Sequence, residues 1–169
     1  MSKFTDTDFS QFKLRVNIRS NIENAYRAFA TSSGLQAWFL ISAVYTSDNG
    51  IVRADDELAQ SGDGYAYRAT NDPQCLGITG KVLHANNRDR FGFTFSMECP
   101  VSVTIYSEHN ETIVELFESK LPTDEETIKK HYVGDSRGWI FYLTNLKSVV
   151  EGGLDLRNKN KLITNVITQ

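Results

Sequence analysis

The sequence predicts one α+β domain in which a curved antiparallel sheet wraps a long C-terminal helix. Three observations support this prediction. The chain opens with a strictly alternating run and two short helical segments, its middle consists of short runs separated by turn residues, and its last third changes to helical spacing. Short strands joined by tight turns are typical of an antiparallel meander. An amphipathic helix that follows such a sheet buries its apolar stripe on it.

The first elements are expected to be one strand and two short helices. Residues 12–18 alternate between apolar and polar side chains, which predicts a half-buried strand. Residues 20–23 have the pattern of a capping box, so a helix should begin with Ser20 as its cap. Ser33 should cap a second short helix, which carries Trp38 and Phe39.

The middle of the chain is predicted to form about six further strands. Tyr65 and Tyr67 share one face of the run 64–69. Phe91, Phe93 and Phe95 share one face of the run 91–95. These phenylalanines are expected to face Trp139 and Tyr142 of the last helix. The runs are residues 42–46, 64–69, 76–85, 91–95, 101–106 and 112–118.

The last third is predicted to be dominated by one long helix. Residues 123–126 form a second capping box, and Gly134 and Gly138 predict a break or a weak start nearby. The pair Gly152-Gly153 should end the helix as a C-cap. The apolar stripe consists of Trp139, Tyr142, Leu143, Leu146, Val149 and Val150.

Length and composition set limits on the class of protein. With 169 residues the chain suits a single domain over residues 1–169, with its core at about 12–157 and with 158–169 as a tail or added strand. A hydrophobic content of 40% and a net charge of -3 argue against disorder. No apolar run approaches the ~18 residues of a membrane span. The one basic cluster, Arg157, Lys159 and Lys161, is too small to predict nucleic-acid binding.

The cysteines and the N-terminus bear on the compartment. Cys75 and Cys99 lie far apart and form no CxxC motif, so each is expected to be a small buried hydrophobe. The first ten residues are polar and lack the basic and apolar regions of a signal peptide. We therefore expect a cytoplasmic protein with free thiols.

No motif for catalysis or for cofactor binding stands out. The sequence has no G-x-S-x-G, P-loop or GxGxxG pattern. His84, His109 and His131 lack the spacing of metal ligands. A non-enzymatic binding protein without metal or cofactor is therefore the leading prediction, although catalytic partners need only meet in space.

Three stretches resemble one known family. The first, residues 16–39, runs from a strand through a helix to a Trp-Phe pair; the second is Gly-Ile-Thr-Gly-Lys-Val-Leu at 77–83. The third, residues 138–157, opens with Gly-Trp and ends with Glu-Gly-Gly-Leu-Asp-Leu-Arg. In order and spacing they resemble the AHSA-type family, named for activators of the ninety-kilodalton heat-shock chaperone ATPase, within the START-like (birch pollen allergen-like, SRPBCC) superfamily.

The resemblance implies a helix-grip fold with a cavity between the sheet and the last helix. The implied partner is a small hydrophobic or aromatic ligand, or a heat-shock chaperone that the protein serves as a cofactor. An alternative within the superfamily is an enzyme of the polyketide cyclase/aromatase type, with Glu115, Tyr67 or Arg68 as acid/base candidates. A third alternative is a homodimeric interaction module that uses a sheet edge or the tail.

The candidate ligand-binding residues are rings on elements that face the cavity, together with one carboxylate. Glu115 shares a strand face with Ile113 and Phe117, and the pattern does not decide whether that face points inward. If it does, Glu115 is a carboxylate in an apolar cavity; the other interpretation is an exposed glutamate and a plain aromatic core. The candidates are Trp38, Tyr65, Tyr67, Phe93, Phe95, Glu115, Trp139 and Tyr142.

Overall fold

Seven antiparallel strands form one curved open sheet in the computed structural model, which describes residues 8–70, 77–160, 162–163 and 166–167. A long C-terminal helix packs on this sheet, which confirms the predicted fold. The sheet order is β1-β7-β6-β5-β4-β3-β2. The elements are β1 (Phe12–Ile18), α1 (Ile22–Ala30), α2 (Ser32–Trp38), β2 (Ser42–Thr46), β3 (Gly64–Arg68), β4 (Ile78–Ala85), β5 (Arg90–Thr94), β6 (Pro100–Glu108), β7 (Glu111–Glu118), α3 (Glu125–Thr127) and α4 (Val133–Val150).

The strands fall where the alternating runs predicted them, with differences at some ends. The expected start of β4 and Cys75 lie outside the described residues, whereas Cys99 is buried as expected. Phe95 lies just beyond β5, because the chain turns there into a short 3₁₀ segment. In that segment Met97 and Glu98 both have positive φ angles, 55° and 59°, which no strand accommodates.

The predicted caps of α1 and α2 are wrong by one and two residues. Asn21, and not Ser20, caps α1: its side chain accepts a hydrogen bond from the Asn24 backbone N–H at 2.7 Å. Thr31, and not Ser33, caps α2 by accepting from the Gly34 N–H at 3.0 Å. Several good cap residues adjoin each helix start, so residue type alone did not select the correct one.

The C-terminal helix begins earlier than its apolar stripe suggested. Asp124, one residue after the predicted cap Thr123, accepts from the Thr127 N–H at 3.0 Å. After α3 a π-helical turn spans Ile128–Tyr132 and leads directly into α4. The irregularity therefore precedes Gly134 and Gly138, and α4 runs through both. A glycine inside a helix lowers its stability without breaking it.

The hydrophobic core lies between the inner face of the sheet and the helices. Val103 of β6, Leu116 of β7 and Leu146 of α4 are all buried within it. Burying a side chain of this size contributes about 1.5–3 kcal/mol. The predicted sheet–helix core is therefore present, and in it α4 packs against β1.

A polar clamp after α4 fixes the C-terminal segment to α2. Arg157 donates to the carbonyl oxygens of Gln36, Ala37 and Leu40 at 2.9, 3.1 and 2.9 Å, at the end of α2. Asp155 holds the guanidinium at 2.8 Å, and Arg157 in turn keeps the pKa of Asp155 well below its usual range. Asp155 and Arg157, at the end of the third stretch that resembles the AHSA-type family, thus have a structural role.

Asn145 is the buried centre of the same clamp. Its Nδ2 donates to the Trp38 carbonyl oxygen at 2.6 Å and to Asp155 Oδ1 at 3.1 Å. Its Oδ1 accepts from the Leu156 N–H at 2.7 Å. Beyond the clamp, Leu162 is exposed, and none of the described residues of 158–169 joins the sheet. In the described part, this segment is a tail.

Replacing Asn145 with Ala is expected to lower the free energy of unfolding by about 2–4 kcal/mol, because the Trp38 carbonyl and the Leu156 N–H each lose a buried partner. Urea denaturation measures the change. The control is Asn160→Ala, an exposed residue whose side chain accepts a hydrogen bond from the exposed Leu162 N–H. Equal midpoints for the two variants contradict this role of the clamp.

Candidate functional site

Seven of the eight candidate side chains lie in one connected group of rings in the interior. Trp139 joins α4 to this group, with ring centroids 5.1 Å from Phe95, 6.4 Å from Phe93 and 5.0 Å from Phe39. Phe39 also contacts Tyr142 at 4.7 Å. Aromatic pairs at these distances contribute about 0.5–1.5 kcal/mol beyond their burial. The expected meeting of sheet rings and helix rings is present, and here the rings touch one another.

Phe91 departs from that expectation, because it faces α1 and β2. Its ring lies 6.1 Å from Tyr26 and 6.3 Å from Tyr45. Phe91 also lies 5.9 Å from Phe93, on the same face of β5. It is therefore linked to the ring group through Phe93, while its other ring contacts are to Tyr26 and Tyr45.

At the other end of the ring group, the polar atoms of the Trp and Tyr side chains form hydrogen bonds with backbone carbonyls or with one another. Tyr67 donates to the Tyr45 hydroxyl at 2.6 Å, and Tyr45 donates to the Phe29 carbonyl at 2.8 Å. Burial raises the pKa of both tyrosines. Trp38 donates to the Ala28 carbonyl at 3.0 Å, and Tyr65 donates to the Thr94 carbonyl. The polar groups of three candidates, Trp38, Tyr65 and Tyr67, therefore already have partners inside the protein.

The structure decides the open question of which way Glu115 points: it does not enter the interior, so it is no part of the group of rings. On β7 the inner face carries Val114, Leu116 and Glu118, whereas Glu115 lies on the outer face. There Lys13 Nζ is 3.1 Å from its carboxylate, and the Tyr106 hydroxyl donates to it at 3.2 Å. Both faces of β7 carry two large apolar residues, so the alternation could not decide which face is buried.

Glu118 is the carboxyl group that does enter the apolar interior. It is fully buried, and the Trp139 indole N–H donates to its Oε2 at 2.9 Å. Among the residues that the structure describes, none forms a hydrogen bond with its Oε1. Burial, with a smaller contribution from Asp135, raises the pKa of Glu118 to about 8. The group therefore holds a proton at neutral pH.

A polar cluster extends from Glu118 toward the surface. His131, Asp135 and Trp139 are four residues apart and share one helix face. Ser96 Oγ and His131 Nδ1 are 3.0 Å apart, and His131 Nδ1 is 3.8 Å from Asp135 Oδ2. Burial raises the pKa of Asp135, and in the described part of the chain its Oδ2 has no hydrogen-bond partner. Ser96, His131 and Asp135 are half-buried, so the cluster reaches the surface on their side.

The sequence contained a signal for this cluster. The four-residue spacing from His131 to Trp139 predicts a shared face once the helix is known to begin near residue 125. The apolar stripe itself begins at Trp139, so it gives no signal for the two polar residues that precede it. Glu118 carries no signal either, because the alternation in β7 does not decide which face is the inner one.

A surface groove lies elsewhere, between α1, α2 and the end of α4. It is an open concavity of about 270 Å³, and Trp38 is the one candidate residue in its lining. Its other lining residues include Arg27, Thr31 and Val150. This groove is distinct from the predicted space between the sheet and α4.

Two further features bear on function. In the part of the chain that is described, no three His, Cys, Asp or Glu side chains are grouped so that they could hold a metal ion. Within the same residues, no helix has the length and apolar character needed to cross a membrane.

Raising the pH from 5 to 8 is expected to destabilise the wild-type protein relative to Glu118→Gln. The folded pKa of about 8 exceeds the ordinary 4.5, so unfolding releases a proton between these values. The stabilisation from this proton is complete below pH 4.5 and is lost as the pH rises toward 8, at up to about 1.4 kcal/mol per pH unit. Urea denaturation at several pH values measures the slope.

The matched control is Glu115→Gln, on the outer face of the same strand, which should keep the wild-type slope. Parallel stability curves for wild type and Glu118→Gln contradict a raised pKa for Glu118.

Comparison with known proteins bears on the fold. The chain matches no protein-family model and no curated protein. Among solved structures, the Aha1 dimer from Colwellia psychrerythraea is similar over 85% of this chain and 97% of its own, with a TM-score of 0.64 and 18% identity. The AHSA1-like protein from Aeromonas hydrophila is similar over 83% and 92%, with a TM-score of 0.57 and 20% identity.

A third neighbour is DynU16, a protein in the dynemicin biosynthetic locus. It is similar over 86% of this chain and 49% of its own, with a TM-score of 0.55 and 14% identity. At such identities a structural likeness establishes the fold. The structural neighbours thus include AHSA1-like proteins over most of the chain, and the chain has their helix-grip fold.

Proposed function

We propose that this chain is a non-enzymatic binding protein that holds a small, apolar, ring-bearing molecule between the sheet and α4. The observation that carries the proposal is Glu118, a fully buried carboxyl group among aromatic rings, one of whose oxygens has no partner among the described residues. Ligand sites combine mostly apolar walls with a few placed polar groups. Such a polar group is costly inside a core that only packs, since burying it without a partner costs about 1–3 kcal/mol.

The binding end is the one nearer to the surface. Phe95 and Tyr142 are half-buried, whereas Trp139 between them is buried. A partly exposed side chain changes rotamer more readily than a packed one. Because the rings contact one another, a ligand enters by displacing Phe95 or Tyr142 and then lies against Trp139, close to Glu118. The deeper candidates, Trp38, Tyr65, Tyr67 and Phe93, form the back of this site.

Native mass spectrometry of protein purified without added ligand is expected to detect a bound small molecule. With 1-naphthol as a ring-bearing probe, NMR signals of Phe95, Trp139 and Tyr142 should shift. Tyr142→Ala should weaken binding by about 3- to 10-fold, the equivalent of one aromatic contact. Tyr106→Ala, on the outer face of the sheet, is the matched control. Shifts confined to the outer face, together with no bound species, overturn the proposal.

The second candidate is an enzyme of the polyketide cyclase/aromatase type. Glu118 favours it, because a carboxyl group with a pKa of about 8 can exchange a proton near neutral pH. The earlier candidates are less suitable: Glu115 lies outside, Tyr67 is bonded to Tyr45, and Arg68 is exposed. If the protein is an enzyme, Glu118→Gln should abolish turnover and keep the affinity for the ligand. If it is a binding protein, neither the wild type nor Glu118→Gln should show turnover.

The chaperone-cofactor and homodimer alternatives, like the cytoplasmic location, stay predictions. A chaperone cofactor changes the ATPase rate of the organism's own heat-shock chaperone, and an unchanged rate at saturating protein counts against it. One structural neighbour is described as a dimer, which supports testing for self-association. Comparing the solution mass of the full chain with that of a chain ending at Arg157 tests whether the tail joins two copies.

A further inference from the structure

We propose that the buried end of this site recognises a protonated amine, so that the ligand is a small organic ammonium ion on an apolar, ring-bearing body. The inference rests on the proposed function and names the ligand class of the same site. It follows from two carboxyl oxygens that face the interior from opposite elements, Glu118 on β7 and Asp135 on α4.

Both oxygens lack a hydrogen-bond partner. Glu118 Oε1 and Asp135 Oδ2 are the buried side-chain atoms without one in the described parts of the chain. An ionised carboxylate is an acceptor only, whereas an ammonium group has three N–H donors. An ammonium group therefore has enough N–H donors for more than one of these oxygens, whereas a hydroxyl group has a single donor.

The charges around Glu118 favour a cation. The titratable groups near it are Asp135 and His131 of the C-terminal helix and Cys99 before β6. Of these, His131 alone can carry positive charge, and its nearest approach is 3.8 Å from Asp135. None of the ion pairs among the described residues includes Glu118. Without a cation beside it the buried group keeps its proton, and a cationic ligand would supply the partner that its ionised form needs.

The surrounding rings complete a site for an organic cation. Trp139 donates its indole N–H to Glu118, and Phe95 and Phe39 contact the Trp139 ring at 5.1 and 5.0 Å. Aromatic faces attract ammonium ions, most strongly when water is excluded. An anionic ligand is disfavoured here, because it would meet two acidic groups in an apolar environment.

Binding of an ammonium ion should be coupled to release of a proton. The cation favours the ionised form of Glu118, which holds its proton at neutral pH in the free protein. Affinity for the amine should therefore increase between pH 6 and 8. It should level off above about pH 8, where Glu118 is already ionised.

The experiment is isothermal titration calorimetry of the full chain at pH 7. The probes are 2-phenylethylammonium, 2-phenylethanol and 3-phenylpropionate, which share a phenyl ring and differ in the polar group. The amine is expected to bind at least about tenfold more tightly than the alcohol, which corresponds to about 1.4 kcal/mol. Titrations in two buffers of different ionisation enthalpy should show proton release for the amine alone.

Variants assign the effect to the two carboxyl groups. Glu118→Gln should remove both the preference for the amine and the proton release, whereas Glu115→Gln should keep them. Asp135→Asn, at a half-buried position, provides a second variant if Glu118→Gln folds poorly, and it should also reduce the preference.

The outcomes separate this inference from the proposed function. If the alcohol or the carboxylate binds as tightly as the amine, or if Glu118→Gln keeps the preference, the amine inference is wrong and the binding function stands. If none of the three probes binds and native mass spectrometry finds no bound species, both are wrong. Proton release that disappears in Glu118→Gln supports the inference directly.

Discussion

The hydrogen bond from the Trp139 indole N–H to the buried Glu118 carboxyl joins the sheet to the C-terminal helix. It connects the inner face of β7 to α4 at the place where the aromatic rings of both elements meet. The bond satisfies one carboxyl oxygen and leaves the other without a partner among the described residues. Because desolvation disfavours the charged form, the group is kept neutral at physiological pH. The raised pKa and the proposed ligand site both depend on this placement.

A buried acid of this kind costs stability, so packing alone does not account for its presence. Apolar residues of similar size would fill the same volume without a desolvation penalty. The clamp formed by Asn145, Asp155 and Arg157 is different, since every polar atom that its contacts involve is used to fix one segment to another. A network whose polar atoms are all hydrogen-bonded has a structural explanation. A buried polar group that lacks a hydrogen-bond partner needs another explanation, such as a role in function.

Most of the fold could be predicted because it depends on strong periodic patterns. Strict alternation located β1, and the apolar stripe from Trp139 to Val150 located most of α4. Helix caps were less predictable, because Ser20 and Asn21 are both good cap residues and only tertiary packing chooses between them. The order of elements carried the resemblance to a helix-grip fold at identities of 14–20% to solved structures.

The polar part of the site could not be predicted for two physical reasons. On β7 both faces are apolar, so period-two patterning leaves the direction of Glu115 and Glu118 open until the strand is placed against α4. In the C-terminal helix, Gly134 and Gly138 led to a predicted start close to Trp139, whereas a π-helical turn at Ile128–Tyr132 leads into α4 before both glycines.

The most direct test of the central claim is a carbon-13 NMR titration of the Glu118 side-chain carboxyl. A midpoint near pH 8 is expected. A midpoint near the ordinary glutamate value, about 4.3, would contradict the buried, protonated carboxyl on which the proposed site depends.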